Sequence, residues 1–184
     1  MKTRAPALVL GLCLAAAAAG PAPGPAPGAA GSSVEAYFTP GDDVERVIAD
    51  RIAGARRSVQ VEAYLFTNRR IAAALAKAAR RGVAVDLVGD AKQHESGGFP
   101  VLRSLERAGV RVWMSERFAA FHNKVILVDA DSAAAIVITG SYNFTRSAQE
   151  RNAENVVVIA GNEALAARYA RDFERHRLLS RRLQ

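Results

Sequence analysis

Residues 121–129 read F-H-N-K-V-I-L-V-D, so a histidine and a lysine stand directly before an apolar run. An apolar run rich in β-branched residues is typical of a strand. A second apolar segment follows at residues 134–139. The polar residues 129–132 between the two segments are typical of a hairpin loop. The pattern predicts two antiparallel strands, at residues 124–128 and 134–139, with His122 just before the first strand and Lys124 at its start.

Strand-like and helix-like periods alternate on both sides of this hairpin, which predicts an α/β (α+β) layered domain. Half of the 184 residues are apolar, enough for one hydrophobic core, so we expect a single domain over residues 34–184. The predicted helices are 42–57, 71–81, 101–108 and 163–179, and the other predicted strands are 59–66, 83–88, 110–114 and 156–160.

The N-terminal segment differs in composition from this domain. Lys2 and Arg4 precede an apolar stretch at residues 7–19, and a Pro/Gly/Ala run follows. We expect a signal peptide at residues 1–19 and a flexible spacer at 20–33, and therefore a periplasmic or secreted protein. A lipid anchor on Cys13 is the less favoured alternative, because Leu12 stands where such anchors need a small residue. No segment reaches the roughly 20 apolar residues of a membrane helix, so no stable membrane span is expected.

The chain is basic, with a formal charge of +7. A basic protein favours a polyanionic partner, such as nucleic acid or an acidic lipid surface. Only four of the 25 basic residues are lysines, and such an arginine-rich composition can arise from a bias of the source without any binding role. Charge alone therefore does not decide the function.

Spacing assigns different roles to the residues of the first strand. Residues two apart in a strand share a face, so His122 and Lys124 project together. Asp129 lies seven positions from His122, which in a regular strand means the opposite face and about 23 Å along the chain. We therefore expect Asp129 to be a structural residue that holds the strand end.

A group of hydrogen-bond donors follows the second strand. Ser141 and Asn143 are two apart in a predicted loop, and Gly140 permits a close approach of the backbone. A lysine, a hydroxyl and an amide around a histidine suit a substrate whose negative charge lies on oxygens, such as a phosphodiester. Attack by imidazole would place charge on the phosphoryl oxygens, where fixed donors stabilise it.

These motifs resemble the phospholipase D superfamily. H-N-K-V-I-L-V-D matches its H-x-K-x-x-x-x-D signature, and G-S-Y-N-F-T followed by N-A-E-N resembles the small bacterial endonuclease branch. A looser resemblance extends over residues 34–177 and includes V-E-A-Y-L-F-T at 61–67. The resemblance implies a phospholipase D-like fold, with a mixed β-sheet flanked by helices on both faces, and a phosphodiester hydrolase.

The same resemblance implies roles for individual residues. His122 would attack phosphorus and form a phosphohistidine, while Lys124, Ser141 and Asn143 would bind the phosphate oxygens. Glu154 would hydrogen-bond the histidine ring and select its tautomer. No cofactor is implied, and no Cys/His or paired-carboxylate spacing suggests a metal site.

The proposed chemistry needs a second histidine, because the leaving oxygen has to be protonated while the first histidine acts as nucleophile. His94 and His176 do not lie in an H-x-K motif, and the chain carries a single copy of that motif. We therefore predict a two-fold homodimer in which His122 of each subunit lines one shared active site.

Three functions are compatible with these residues. The first is a low-specificity endonuclease on DNA and/or RNA, with Arg146, Arg151 and Tyr142 as candidate nucleic-acid contacts. The second is a phospholipase D that hydrolyses phosphatidylcholine-type phospholipids. The third is a non-catalytic nucleic-acid-binding module, against which the intact His122 and Lys124 argue.

Overall fold

The computed structural model describes residues 31–95 and 99–183, which form one mixed sheet with helices on both faces. The strands are β1 (Ser33–Thr39), β2 (Ser58–Ala63), β3 (Ala84–Asp90), β4 (Arg111–Ser115), β5 (Lys124–Val128), β6 (Ile136–Gly140), β7 (Glu154–Ala160) and β8 (Arg181–Arg182). The helices are α1 (Val44–Ala53), α2 (Arg69–Arg80), α3 (Ala91–Glu95), α4 (Phe99–Arg107), α5 (Arg146–Glu150) and α6 (Glu163–Leu178).

The order of strands across the sheet is β1-β7-β6-β5-β2-β3-β4-β8. β2, β3 and β4 run parallel to one another, because helices connect them, and every other neighbouring pair is antiparallel. β5 and β6 form the hairpin predicted from residues 121–139. The predicted α/β fold with a mixed sheet is therefore confirmed.

Two hydrophobic cores lie on opposite faces of this sheet. Side chains alternate along β2, so Val59, Val61 and Ala63 belong to the first core, where α1, α2 and α4 pack. Phe173 of α6 contributes to the second core, together with Leu127 of β5. Helices on both faces are thus required to cover a sheet that is apolar on both sides.

Several central strands begin or end along one side of the sheet, and this line of strand ends is the site edge. Ala63 at the end of β2 pairs with Lys124 at the start of β5, and Gly140 at the end of β6 pairs with Val156 near the start of β7. Because these strands are antiparallel, the segments before β5 and after β2 and β6 emerge at the same edge. This edge is the place where the motif residues meet.

Two predicted boundaries were wrong by several residues. The first helix ends at Ala53, four residues before the predicted end, because the backbone N–H groups of Arg56 and Arg57 donate to the Asp129 carboxylate instead of continuing the helix. The predicted strand 59–66 ends at Ala63, because the chain turns out of the sheet and Phe66 makes an isolated bridge with Phe144.

Several short elements were not predicted: β1, α3, α5 and β8. β1 begins at Ser33, inside the predicted spacer. The predicted signal peptide, Cys13 and most of the spacer lie outside the described residues. Within the described residues, no helix has the length and apolar character needed to cross a bilayer.

Candidate active site

His122 lies just before β5 and is exposed to solvent. Its ring packs against the ring of Tyr64, which follows β2, with centroids 4.5 Å apart and planes tilted by 53°. The Tyr64 N–H donates to the Asn123 carbonyl at 2.9 Å, so the backbone segments that carry the two rings are joined. An exposed imidazole with a supported ring can meet a substrate without a large rearrangement.

Lys124 is buried, with 7% of its surface exposed, although it carries an ammonium group. Its Nζ donates to the His122 carbonyl at 2.7 Å and lies 4.9 Å from the centre of the Tyr64 ring. Burial lowers the pKa of Lys124, and the negative charge of Glu154 opposes that shift. The Lys124 amine is therefore held beside the His122 backbone.

Glu154 and Ser141 form a second part of the site. The Ser141 hydroxyl donates to Glu154 Oε2 at 2.5 Å, and Asn152 Nδ2 donates to Glu154 Oε1 at 2.9 Å. Among the residues that the structure describes, Glu154 is bonded to these two groups rather than to the His122 ring. Its charge nevertheless acts on Lys124.

Gly140 allows two strands to approach closely at this edge. A Cβ atom at position 140 would lie 2.1 Å from the Asn155 carbonyl oxygen, far inside contact distance. The Asn155 carbonyl accepts from the Ser141 N–H at 3.1 Å, and the Asn155 N–H donates to Ser141 Oγ at 3.1 Å. The missing side chain of Gly140 therefore sets the position of the Ser141 hydroxyl.

Asn143 lies in the loop after β6, and this loop is tied to the segment after β2. The Phe144 carbonyl accepts from the N–H groups of Thr67 and Asn68, both at 2.9 Å, and the Phe144 N–H donates to the Leu65 carbonyl at 3.1 Å. Asn143 Oδ1 is buried and accepts no hydrogen bond from the described part of the chain. Asn143 Oδ1 is thus a hydrogen-bond acceptor that no described residue uses.

The arrangement combines an exposed imidazole, a buried ammonium, a hydroxyl and an amide at one sheet edge. Residues 48–177, well over half of the chain, match the family model described as cardiolipin synthase, PLD-like domain. The chain belongs to the phospholipase D superfamily. Members of this superfamily are phosphodiester hydrolases, the enzyme class predicted from the sequence.

Comparison with individual members supports this assignment. A phospholipase D of Rickettsia bellii is 41% identical over 132 residues, which are 72% of this chain and 63% of the relative. A mitochondrial cardiolipin hydrolase of Xenopus laevis is 30% identical over 125 residues, or 68% of this chain and 57% of the relative. The chain thus spans less than two thirds of the length of these two relatives.

A solved structure of the superfamily has the same fold. Nuc, a phospholipase D family member from Salmonella typhimurium, aligns with a TM-score of 0.78 and 29% sequence identity, covering 83% of this chain and 99% of Nuc. The predicted phospholipase D-like fold is therefore confirmed.

Asp129, the last residue of the superfamily signature, lies at the opposite end of β5 from His122. Its Oδ1 accepts from the N–H groups of Arg57 and Ser58 at 2.8 and 2.9 Å, and its Oδ2 accepts from Arg56 N–H at 2.9 Å. Burial would raise the pKa of Asp129, but these three backbone donors outweigh burial and lower it. The carboxylate joins β5 to the start of β2.

The other two histidines of the chain are buried. His94 is 1% exposed and its Nδ1 lies 2.7 Å from the Asp90 carbonyl oxygen, while its Nε2 has no partner among the described residues. His176 is 7% exposed and its Nδ1 lies 2.7 Å from Glu62 Oε1. Of the three histidines, His122 alone offers its ring to solvent.

The interpretation of Tyr142 as a nucleic-acid contact was wrong. Tyr142 is 1% exposed, belongs to the first core and donates its hydroxyl to Gln149 Oε1 at 3.3 Å. Its ring lies on the same face as Ile138, which belongs to the same core, while Ser141 remains exposed. A base cannot stack on a ring that is covered on both sides.

Arg146 and Arg151, the predicted nucleic-acid contacts, lie at the two ends of α5 and are exposed. Arg146 pairs with Glu150 at 2.6 Å and lines an open cleft of about 630 Å³. Thr67 and Asn68, which hold the Asn143 loop, also line this cleft. The cleft therefore reaches the backbone that supports the site.

Sequence reasoning assigned no role to Tyr64, Glu62 or Asn123. Tyr64 stands inside the quoted V-E-A-Y-L-F-T segment, but only the turn after β2 shows that its ring meets His122. Glu62 lies in the same segment, close to His176 and Asp172, and these three form a group of potential metal-ligand side chains. The short contact between Glu62 and His176 is a hydrogen bond, which accounts for their closeness without an ion.

Proposed function

We propose that this chain is an exported, metal-independent phosphodiesterase that acts through a phosphohistidine at His122, with DNA and/or RNA as its substrate. The observation that carries the proposal is the exposed His122 ring beside the buried ammonium of Lys124. An imidazole in this position can act as the nucleophile while the ammonium stabilises charge on the phosphoryl oxygens.

The reaction proceeds in two steps. In the first, an imidazole nitrogen of His122 attacks phosphorus, the P–O bond to one ester oxygen breaks, and an acid protonates the leaving oxygen. In the second, water attacks the phosphohistidine, the P–N bond breaks, and the same acid, now a base, takes the proton of the water. Lys124 and Asn143 Nδ2 supply donors for the phosphoryl oxygens, and the Ser141 hydroxyl joins them when it turns from Glu154 Oε2 to the substrate.

The acid and base of this scheme is His122 of the partner subunit. His94 and His176 are buried, so neither can deliver a proton to a substrate bound at His122. Glu154 is held by Ser141 and Asn152. A second copy of the chain supplies the missing imidazole if two copies meet at this edge of the sheet.

An apolar surface for such a meeting exists on β1. Val34 and Phe38 are 66% and 59% exposed, on the same face of this edge strand as the exposed Ala36. Phe38 pairs with Asn155, whose N–H contacts the Ser141 hydroxyl. An exposed apolar row on an edge strand favours association, and here the row ends beside the site.

A substitution on this row tests the dimer. We expect Phe38→Glu to convert the dimer to a monomer in sedimentation experiments and to abolish activity, although His122 is untouched. Leu178→Glu is the matched control, since Leu178 is 69% exposed on α6, and it should remain dimeric and active. A wild-type chain that is monomeric and fully active would refute the shared site.

A nucleic-acid substrate is supported by the charge, which is +5 once Lys2 and Arg4 are removed with the signal peptide (7 − 2 = 5), and by the arginines around the site. Arg69, Arg70 and Arg146 line the cleft beside the Asn143 loop, where they can contact neighbouring phosphates of a polymer. The G-S-Y-N-F-T segment resembles the endonuclease branch of the superfamily. We expect cleavage to slow steeply as salt is added, because protein contacts with nucleic-acid phosphates release counterions.

A phospholipid substrate is the second candidate. The Rickettsia and Xenopus relatives carry the names phospholipase D and mitochondrial cardiolipin hydrolase. A phosphatidylcholine head group presents the same phosphodiester to His122, so the two candidates share the chemistry and differ in what holds the rest of the substrate.

One assay separates the candidates. The purified protein is incubated with plasmid DNA, RNA and phosphatidylcholine vesicles in EDTA, beside the His122→Ala variant. Cleavage of nucleic acid by the wild type and not by the variant supports the proposal, together with a labelled phosphohistidine on His122 in quenched reactions. Cleavage of the vesicles alone assigns the lipid function. No cleavage of any substrate by the wild type contradicts an enzyme and favours the binding module, whereas loss of activity in EDTA contradicts the metal-independent mechanism.

Export rests on the N-terminal sequence. We expect the mature protein to lack residues 1–19 and to be recovered from the periplasm or the medium. N-terminal sequencing of the recovered protein checks this, and a chain that keeps Met1 in the cytosol would contradict it.

A further inference from the structure

The two residues that flank His122 are anchored on the opposite side of the backbone from its ring. Asn123 Nδ2 donates to Glu62 Oε2 at 2.7 Å. The second oxygen of that carboxylate, Oε1, lies 2.7 Å from His176 Nδ1. Glu62 thus bridges α6 to the segment that carries the nucleophile.

Phe121, on the other side of His122, reaches the same histidine of α6. Its ring meets the His176 ring edge to face, with centroids 5.2 Å apart and planes at 87°. The Phe121 N–H also donates to Asp90 Oδ2 at 2.7 Å. Both neighbours of His122 are therefore fixed, through side chains, to one buried histidine.

We propose that Glu62 and His176 are positioning residues for the reaction, because together they hold Asn123 and Phe121 and so fix the His122 backbone. The inference rests on the proposed function, in which His122 is the nucleophile. The Lys124 ammonium and the Tyr64 N–H hold the carbonyls of His122 and Asn123, and the Glu62–His176 pair adds an anchor through the side chains of Asn123 and Phe121.

Burial of the polar Glu62–His176 pair is energetically unfavourable, which supports a role other than stabilising the fold. Glu62 is 3% exposed and His176 is 7% exposed. Burial raises the pKa of Glu62, and the hydrogen bonds from His176 and Asn123 only oppose that rise. An apolar pair of similar volume in such a place is often as stable or more stable. A buried polar pair that an apolar pair could replace, yet that holds both neighbours of a nucleophile, is explained by positioning.

Three variants separate positioning from folding. Glu62→Met removes the acceptor of Asn123 and keeps the volume, and Glu62→Met/His176→Leu removes the whole polar pair. Glu62→Gln keeps an oxygen that can accept from Asn123 and an amide that can donate to His176 Nδ1. Gln60→Met is the matched control, because Gln60 lies on the same face of β2, one pleat further from the site.

For Glu62→Met and the double variant, we expect kcat to fall about tenfold to a hundredfold, with KM within about twofold. The melting temperature should fall in Glu62→Met, which leaves the buried His176 without its partner, and should be unchanged or higher in the double variant. Glu62→Gln should recover kcat to within about threefold of the wild type, since it restores both hydrogen bonds. The Gln60→Met control should match the wild type. Wild-type kcat in a folded Glu62→Met protein would overturn the proposal.

A readout other than activity keeps the proposal testable if the Glu62 variants fold poorly. Asn123→Ala cuts the link from the other end and leaves the Glu62 to His176 contact in place. Amide hydrogen exchange over residues 121–124, followed by mass spectrometry, should be faster in Asn123→Ala and in Glu62→Met than in the wild type. Unchanged exchange in both variants would refute positioning through Asn123.

Failure of the proposed function and failure of the positioning role would give different results. If His122→Ala keeps full activity, the proposed function is wrong, while faster exchange in Asn123→Ala still supports the anchoring. If His122→Ala is inactive and the anchor variants show wild-type kcat and exchange, the proposed function stands and the positioning role is wrong.

Discussion

The ring of Tyr64 lies 4.5 Å from the ring of His122 and 4.9 Å from the ammonium of Lys124, so one aromatic side chain supports both motif residues. Tyr64 reaches them because β2 ends at Ala63, directly beside Lys124 in the sheet. After Ala63 the chain turns and passes over the strand ends at which His122 and Lys124 lie.

The Tyr64 ring is expected to contribute to catalysis through its face rather than its hydroxyl. A ring beside an ammonium is worth about 0.5–2 kcal/mol, so Tyr64→Ala should lower kcat about tenfold. Tyr64→Phe keeps the ring and should stay within about twofold of the wild type. Steady-state kinetics on the preferred substrate test this, and equal losses in both variants would show that the hydroxyl is the important group.

Lys124 is expected to be needed for chemistry and dispensable for folding. Lys124→Met removes a fixed donor at the phosphoryl oxygens, which should reduce kcat about 100-fold to 1000-fold. Because the ammonium is buried, an apolar side chain there should not lower the melting temperature. Lys77→Met, at an exposed position on α2, is the control and should change neither quantity.

The lowered pKa of Lys124 also predicts the direction of a pH effect. Burial lowers this pKa, so the ammonium loses its proton at a lower pH than an exposed lysine would. The loss of kcat/KM on the alkaline side, which reports groups of the free enzyme, should therefore begin below the range of ordinary lysines. An alkaline limb of kcat/KM at or above that range would contradict a lowered pKa of Lys124.

Asp129 is expected to stabilise the fold without affecting the reaction. Asp129→Asn tolerates the positive φ of 47° but loses the charge that accepts three backbone N–H groups. The free energy of unfolding should fall by about 1–3 kcal/mol at neutral pH. The kcat of the folded variant should be unchanged, because Asp129 lies at the far end of β5 from His122.

The effect of Asp129→Asn should depend on pH in one direction. Three backbone donors lower the pKa of Asp129 despite its burial, so the folded state binds fewer protons than the unfolded state between the two pKa values. The stabilisation is complete above the pKa of an unfolded aspartate and is lost as the pH falls through the lowered folded value. Asp131→Asn, in an exposed pair with Arg57, is the control and should have little effect at any pH. Denaturant unfolding from acidic to neutral pH checks both variants.

Gly140→Ala is expected to disrupt the site edge. The new Cβ would lie 2.1 Å from the Asn155 carbonyl oxygen, so β6 and β7 would have to separate there. A loss of about 2 kcal/mol or more in the free energy of unfolding is expected, together with lower activity through Ser141. Gly54→Ala is the control, because its Cβ would be 3.5 Å from the nearest atom and φ is −74°, and it should be neutral or slightly stabilising. Equal melting temperatures for the two variants would contradict the close approach.

Local sequence was enough for the elements whose pattern lies within a few consecutive residues. The apolar run of β5 was predicted with its observed limits, and α6 was predicted to within one residue at its end. The end of α1 was wrong because the Asp129 carboxylate, distant in sequence, accepts the backbone N–H groups that follow the helix. The end of β2 was wrong because the chain turns out of the sheet after Ala63, and Phe66 forms an isolated bridge with Phe144. Short elements such as α3 and α5 have too few residues to show a period.

By itself, the sequence determined the α/β class, the hairpin and the identities of His122, Lys124, Ser141 and Asn143, because strand periodicity and motif spacing are local properties. Only the tertiary structure decided that Tyr142 is buried, that Glu154 is held by Ser141 and Asn152, and that Tyr64 supports His122. It also joined Glu62 to His176 across 114 positions. Such contacts depend on the order of strands in the sheet and on the packing of α6, and no spacing along the chain encodes them.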